Sequence, residues 1–170
     1  IQFSSDHTQY PMIKMGESSN FVTASPIYAY NASNIAITGA GIIDGAGESW
    51  RPVKKSKVAA SLWTELIKTG VLSDDGKIWW PGKEAMNGEE YVKTLKEKMA
   101  TATATDYEQA RDYLRPYMLY FIRCKTILIE GVTLRNSPKF VFYPNRCTNL
   151  TMNGVNVFND WWAQNGDGID

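Results

Sequence analysis

Histidine and cysteine are scarce in this chain: its 170 residues hold one histidine, His7, and two cysteines, Cys124 and Cys147. A metal centre built on them would need a further His or Cys cluster, which the sequence does not supply, so neither a metal nor a cofactor is expected. Net charge is lacking too. Eighteen Lys and Arg against 18 Asp and Glu give a formal charge of +0, without the electrostatic footprint of a nucleic-acid partner. No apolar run approaches the roughly 20 residues of a membrane-spanning helix, so no membrane partner is expected, and no signal peptide opens the chain. What is present is 44% hydrophobic and 12% aromatic content, enough for one domain with a sizeable core. The chain opens on a strand-like Ile1-Gln2-Phe3 and stops at Asp170 without a cap, so both ends read as cut from something longer.

Three stretches share one pattern of polar, apolar, x, apolar, x, Gly: Asn34 to Gly39, Thr126 to Gly131 and Asn149 to Gly154. The last two begin 23 residues apart and the first two 92 apart, which is four such periods or one period plus a 69-residue insertion. Apolar side chains alternating with period two make each unit a short strand, and the glycine turns the chain. Five residues beyond each glycine stands Asp44, Asn136 or Asn159, suited to a second corner through side-chain to backbone hydrogen bonds. One such unit cannot bury its apolar face alone, whereas stacked units can. Stacking puts Ile35, Ile127 and Leu150 in one interior column and Ile37, Ile129 and Met152 in another. The expected fold is all-β, a right-handed parallel β-helix of about 23 residues per coil with a helical insertion. Its coils would occupy residues 1–47 and 116–170, with the insertion at about 48–115. A βαβ arrangement is the rival, but 23 residues leave no room for its helix.

Cys124 and Cys147 keep the same 23-residue register, each after an arginine, with Ala32 at the matching place in the first unit. Stacked buried thiols are expected ahead of a disulfide. Within the insertion, Val58, Leu62, Trp63, Leu66 and Ile67 fall at helical spacing, with Gly70 as a stop. Thr105 and Glu108 fit a capping box, and Tyr107, Ala110 and Leu114 one helix face. Lys77 to Gly82 reads as an aromatic loop, with Trp79 and Trp80 packing the insertion onto the coils. The lysines and glutamates at 89–98 read as a solvated helix surface.

The chemistry concentrates in Asn165-Gly166-Asp167-Gly168-Ile169-Asp170, preceded by Asn159-Asp160-Trp161-Trp162. Together with Asn34 to Gly45, Leu128 to Pro138 and Arg146 to Gly154, this ending resembles glycoside hydrolase family 28, the polygalacturonase and rhamnogalacturonase group of pectin-degrading β-helices. Gly166 stands where that family usually has threonine. The resemblance implies inverting hydrolysis of pectic polysaccharide by a secreted or periplasmic protein, monomeric when intact. One carboxylic acid would protonate the leaving oxygen while a second carboxylate activates water on the opposite face of the sugar. By this resemblance Asp167 is catalytic, on the water-activating side, and Asn165 helps hold the site. Trp161, Trp162 and Tyr143 are expected to line the substrate cleft, with Phe142 in the core. Lys139, Arg135 and Arg146 could meet an acidic substrate, with solvated charge as the default.

The family continues with a paired aspartate carrying the general acid, then Gly-His-Gly, then Arg-x-Lys, and none of these follows Asp167 here. Asp74-Asp75 precedes the motif and reads as a turn, His7 as a surface or loop residue, and Asp170 as structural. The expectation is therefore an N-terminal part of a hydrolase, inactive by itself, whose remaining catalytic region lies beyond Asp170. Two alternatives stand beside it. One is a non-catalytic carbohydrate-binding or adhesin β-helix; the other is a pectate lyase, which would require clustered acidic calcium ligands.

Overall fold

Alternating apolar residues and turn-forming Asn, Asp and Gly translate into short strands that recur in a fixed order. The computed structural model describes residues 1–98 and 101–170. An antiparallel hairpin, β1 (Met12–Lys14) and β2 (Phe21–Thr23), comes first. Next are β3 (Ile27–Tyr30), β4 (Ser33–Thr38) and β5 (Ile42–Asp44). The following stretch contains β6 (Val53–Lys54), α1 (Ala60–Leu66), β7 (Val71–Leu72), β8 (Ile78–Trp80), α2 (Lys83–Lys96) and α3 (Ala104–Tyr107). Strands then resume: β9 (Leu119–Ile122), β10 (Lys125–Glu130), β11 (Thr133–Arg135), β12 (Phe142–Asn145), β13 (Thr148–Asn153) and β14 (Asn156–Phe158).

Nine of these strands make three parallel sheets, ordered β3-β9-β12, β4-β10-β13 and β5-β11-β14. The pairing of β4 with β10 is direct, and its register aligns Ile35 with Ile127 and Ile37 with Ile129. On the other side of β10, Ile127 meets Leu150 and Ile129 meets Met152. Both expected columns therefore exist, and their middle members are the best buried, Ile129 being 0% exposed. The core around them collects Leu119, Phe121, Leu134 and Phe142. Fully burying one such side chain contributes on the order of 2 kcal/mol, so this column is a main source of cohesion between sheets.

The corners between strands recur as faithfully as the strands. Asn31, Arg123 and Arg146 all adopt left-handed backbone (φ 51°, 52° and 53°), as do Asn34, Thr126 and Asn149 (φ 58°, 56° and 55°). Asparagine tolerates this region, whereas a β-branched threonine or an arginine there costs roughly 1–2 kcal/mol, which the flanking ladders must hold in place. The turn at Gly131 (φ 74°) is more demanding still, because a Cβ there would lie 2.7 Å from the Gly39 carbonyl oxygen.

The inserted chain departs from expectation in three places. Lys77 to Gly82 is not a loop: β8 is the central strand of an antiparallel sheet with β6 and β7, since Trp79 gains more by burial against Val53 and Trp63 than a loop would allow. Trp79 also donates its indole N–H to the Thr69 carbonyl at 2.6 Å. The capping box belongs to Thr103 and Asp106, where the Thr103 amide donates to Asp106 Oδ2 at 2.7 Å, because the helix starts two residues earlier than Thr105 would place it. Ile67 is exposed at the end of α1 rather than on its packed face. Asp74 and Asp75 do form a turn, with Asp75 accepting hydrogen bonds from Ser73 Oγ and the Lys77 amide. The lysine- and glutamate-rich stretch from residue 89 falls on α2, where Lys93 pairs with Glu89 and Glu90 in water. Met99 and Ala100 lie outside the described residues.

His7, expected at the surface or in a loop, is half-buried in the short 3-10 turn His7–Gln9. Its ring stacks on Trp50, with centroids 3.5 Å apart, while Nδ1 lies 2.8 Å from Asp112 Oδ1 and Nε2 3.1 Å from Ser49 Oγ. The contact ties the N-terminal segment to both ends of the inserted chain, a long-range packing that one isolated His could not announce. Cys124 and Cys147 are free thiols, the first buried and the second partly so. Each donates to a backbone carbonyl, Ile122 and Phe121 respectively, at 3.4 Å.

Candidate active site

The small polar residues at the sheet corners prepare the ground for the final motif. Asp44 Oδ1 accepts from the Ala46 amide at 3.0 Å and from Asn136 Nδ2 at 3.2 Å, and Oδ2 accepts from Arg135 Nε at 2.8 Å. Burial pushes the Asp44 carboxyl up, but the Ala46 amide, Arg135 and Asn136 together outweigh it and hold it below the usual aspartate value. One corner further on, Asn159 Oδ1 accepts from the Ser137 amide at 2.9 Å and Asn159 Nδ2 donates to the Gly166 carbonyl at 2.7 Å. The corner residue thus ties the Ser137 backbone to the segment that leads into Asp167. Asn136 Nδ2 donates to Glu48 as well.

Two arginines secure the same region, and neither was singled out by sequence pattern. Arg51 donates to the Ser137 carbonyl at 2.6 Å and to Asn136 Oδ1 at 3.0 Å, with Asp160 Oδ2 at 3.7 Å. Arg115, where the inserted chain ends, donates through Nη1 to the Pro138 and Gln164 carbonyls at 3.2 and 3.0 Å. Its Nη2 donates to Asn165 Oδ1 at 3.0 Å. Burial, with the Arg51 charge adding to it, lowers the Arg115 pKa to about 10. Asn165 takes left-handed backbone (φ 56°), and a Cβ on Gly166 would lie 3.0 Å from Ala163 Cβ and 3.2 Å from Asn159 Nδ2. Glycine at this position, where the resembled family usually has threonine, leaves that space unfilled.

Beyond this turn the chain joins the β3-β9-β12 sheet. The Val141 amide donates to the Asp167 carbonyl at 2.9 Å, and Ile169 bridges to Phe142 in parallel. Asp167 is exposed, and among the described residues its carboxylate has neither an ion pair nor a hydrogen bond. Asp170, expected to be structural, is likewise exposed and unpaired. Its charge acts on Tyr117 and Lys139, so it faces the same neighbourhood as the aromatic side chains.

Tyr143 stands in register with Tyr120, and Tyr120 with Tyr28, so a tyrosine ladder runs across the sheet. The 23-residue spacing that linked the cysteines also links Tyr120 to Tyr143, and would have revealed the ladder. Tyr117 joins it, its ring 4.6 Å from Tyr143 and 5.1 Å from Tyr120. Burial, then the neighbouring Tyr143 and Tyr120, push the Tyr117 hydroxyl up to about 12. Beside the ladder lies a cavity of about 510 Å³ lined by Tyr113, Arg115, Tyr117, Tyr120, Lys139 and Asn165. Phe142 is fully buried, as expected.

The remaining expected site residues lie elsewhere. Trp162 packs on the Val53, Trp63 and Trp79 cluster of the inserted chain, while Trp161 is 70% exposed beneath Lys57. Neither lines the cavity beside Asn165. Arg146 and Arg123 reach Glu17, at 3.6 and 2.8 Å, and Arg135 serves Asp44, so three of the basic groups are committed to intramolecular pairs. Among the described residues no three His, Cys, Asp or Glu side chains gather to hold a metal ion, and no helix is long and apolar enough to cross a membrane.

Three parallel sheets joined by short corners define a mostly-strand protein built on parallel pairing. Residues 58–170 match glycosyl hydrolases family 28, and the chain belongs to that family. Among solved structures, the chain is similar to a hyperthermoactive exopolygalacturonase from Thermotoga maritima, with 27% identity and a TM-score of 0.63. That match covers 99% of this chain and 35% of the other, so the chain spans about a third of its relative's length. A family 28 exopolygalacturonase from Yersinia enterocolitica, 20% identical with a TM-score of 0.55, covers 99% of this chain and 29% of its own, and shares the fold. No curated protein matches.

Proposed function

We propose that the intact protein hydrolyses glycosidic bonds of pectic polysaccharide, polygalacturonan or rhamnogalacturonan, with inversion, and that Asp167 activates the attacking water. The observation that carries this reading is the Asp167 carboxylate: exposed, unpaired among the described residues, and held by its backbone carbonyl against Val141, two residues before the isolated bridge of Ile169 to β12. An unpaired carboxylate has its oxygen lone pairs free to accept from water, as the base of an inverting glycosidase requires. Asn165 has its carbonyl engaged by Arg115, which leaves the amide N–H groups to orient substrate or a second carboxylate. Tyr143, within its ladder, offers a face for a sugar ring, and exposed Trp161 a second, more distant one.

In this reading the three parallel sheets are the faces of a right-handed parallel β-helix, and the general acid comes from chain outside these residues. Similarity to the Thermotoga maritima exopolygalacturonase supports the galacturonan side of the substrate class. The family resemblance motivates the further proposal that the protein is secreted or periplasmic.

The test is reducing-sugar release from polygalacturonate and rhamnogalacturonan, with product anomers followed by NMR. The intact protein should release the inverted anomer, and Asp167→Asn should lower kcat by at least about a thousandfold with little change in KM. Residues 1–170 alone should release nothing. Retention of configuration, or an Asp167→Asn variant within tenfold of wild type, would overturn the assignment.

A further inference from the structure

Lysines gather on one edge of the inserted chain with little to neutralise them. Strand β6 ends on Lys54, and the 3-10 turn Lys55–Lys57 follows directly, so three lysines stand within four residues. The register of β6 with β8 sets Lys54 opposite Ile78, and the Lys55 amide donates to the Lys77 carbonyl at 2.8 Å, which brings a fourth lysine alongside. All four are exposed. Among the described residues only Lys77 of the four has a carboxylate partner, Asp75 at 3.3 Å, and the other oxygen of that acid accepts from Ser73 Oγ and the Lys77 amide. Asp74 pairs with none of them. By contrast, Lys68 is met by Glu65, and Lys93 by both Glu89 and Glu90.

Beside these lysines lies flat apolar surface. Lys57 Nζ is 5.8 Å from the centre of the Trp161 ring, and Lys55 Nζ is 5.9 Å from that of Trp63. Trp63 is buried, but Trp161 is 70% exposed, a large indole left in water. It meets Trp162 edge to face with centroids 5.9 Å apart, and Trp162 packs on Val53, Trp63 and Trp79, so Trp161 is held to the unit that carries the lysines. A hollow of about 480 Å³ lined by Lys54, Lys55, Ser56, Asp75, Lys77 and Ile78 completes the surface. None of these residues lines the cavity beside the tyrosine ladder.

We infer that this lysine and tryptophan face of the inserted chain is a docking surface for de-esterified pectic polymer. The lysines meet carboxylates that recur along the polymer, and Trp161 stacks on a pyranose face beside them. Charge complementarity selects the occupant: several exposed cations together suit a repeating polyanion, whereas a single small anion gains little from any one of them. The exposed indole adds a partner for sugar rings, which charge alone does not supply. The inference rests on the pectic-hydrolase reading for its ligand class, and it adds a second hold on the polymer. Such a hold raises the local concentration of substrate without taking part in the reaction.

Affinity electrophoresis of the intact protein carrying Asp167→Asn, through gels containing polygalacturonate, reads this surface without turnover. Adding Lys54→Gln, Lys55→Gln and Lys57→Gln together should raise the dissociation constant about tenfold, the combined effect of three exposed ionic contacts. Trp161→Ala should raise it about threefold, and arginine at the same three positions should keep binding near the starting level. Lys83→Gln, Lys96→Gln and Lys98→Gln, an equal loss of charge from exposed lysines on and just after α2, should change it by less than about twofold. A loss under about threefold from the first set, an equal loss from the second, or equally tight binding to a gel of single-stranded oligothymidylate would each overturn the inference. An unaffected first set in a protein whose wild type hydrolyses polygalacturonate counts against this surface alone. Lysine-dependent retention by a wild type that hydrolyses nothing counts against the proposed reaction alone.

Discussion

Replacing Arg51 by methionine should remove more stability than any other single surface-to-coil contact of the inserted chain. Arg51 is 3% exposed and donates to the carbonyl of Ser137, itself 0% exposed, and to Asn136 Oδ1. A hydrogen bond from a charged donor contributes about 1.5–3 kcal/mol, and a buried carbonyl left without a donor costs about 1–3 kcal/mol. Against this stands the relief of no longer burying a guanidinium. Burial is the leading influence on Arg51 and depresses its pKa, with Asp160, Glu48 and Asp44 only partly compensating. Methionine also refills most of the aliphatic volume. The balance is a loss of about 3 kcal/mol. A control sits one corner away: Arg135 makes a shorter ion pair with Asp44, 2.8 Å, but its side chain is 51% exposed, so Arg135→Met should cost about 1 kcal/mol or less. Urea unfolding of the two variants, compared at constant m-value, measures both. An Arg51→Met loss under 1 kcal/mol, or an Arg135→Met loss of equal size, would refute the view that burial rather than distance sets these contributions.

Two further outcomes follow from the same geometry. Asp44 titrates below its usual value of 3.8 in the folded protein, so its contribution is fully present above that value and is lost as pH falls through the folded pKa. Urea midpoints measured between about pH 2 and 6 should therefore drop on the acid side, and Asp44→Asn should flatten that limb; an unchanged profile would contradict the corner assignment. In α2, Gly88→Ala should destabilise by about 1–3 kcal/mol although alanine is the better helix former by about 1 kcal/mol. A Cβ at Gly88 would lie 2.1 Å from Tyr113 Cβ, and a rise in melting temperature would refute the idea that Tyr113 excludes a side chain there.

What the amino-acid order decided by itself was whatever repeats. Period-two apolar alternation and a 23-residue spacing placed Ile127 against Leu150 and Ile129 against Met152, because stacked strands can bury their side chains only in register. The same logic made Asp44, Asn136 and Asn159 corner residues, while the role proposed for Asn165 to Asp170 came from the family resemblance of that motif. Left-handed corners at Arg123, Thr126 and Arg146 were silent, since those residue types do not advertise that conformation. Only the tertiary structure decided what converges across long stretches of chain. It stacked His7 on Trp50, made Ile78 to Trp80 part of a sheet, drew Trp162 into the inserted chain, and set Arg115 against Asn165, 50 residues away in sequence. These contacts join the repeat to a segment that does not share its period. No local pattern encodes them, and they arise only when burial of aromatic surface and pairing of buried donors are satisfied together.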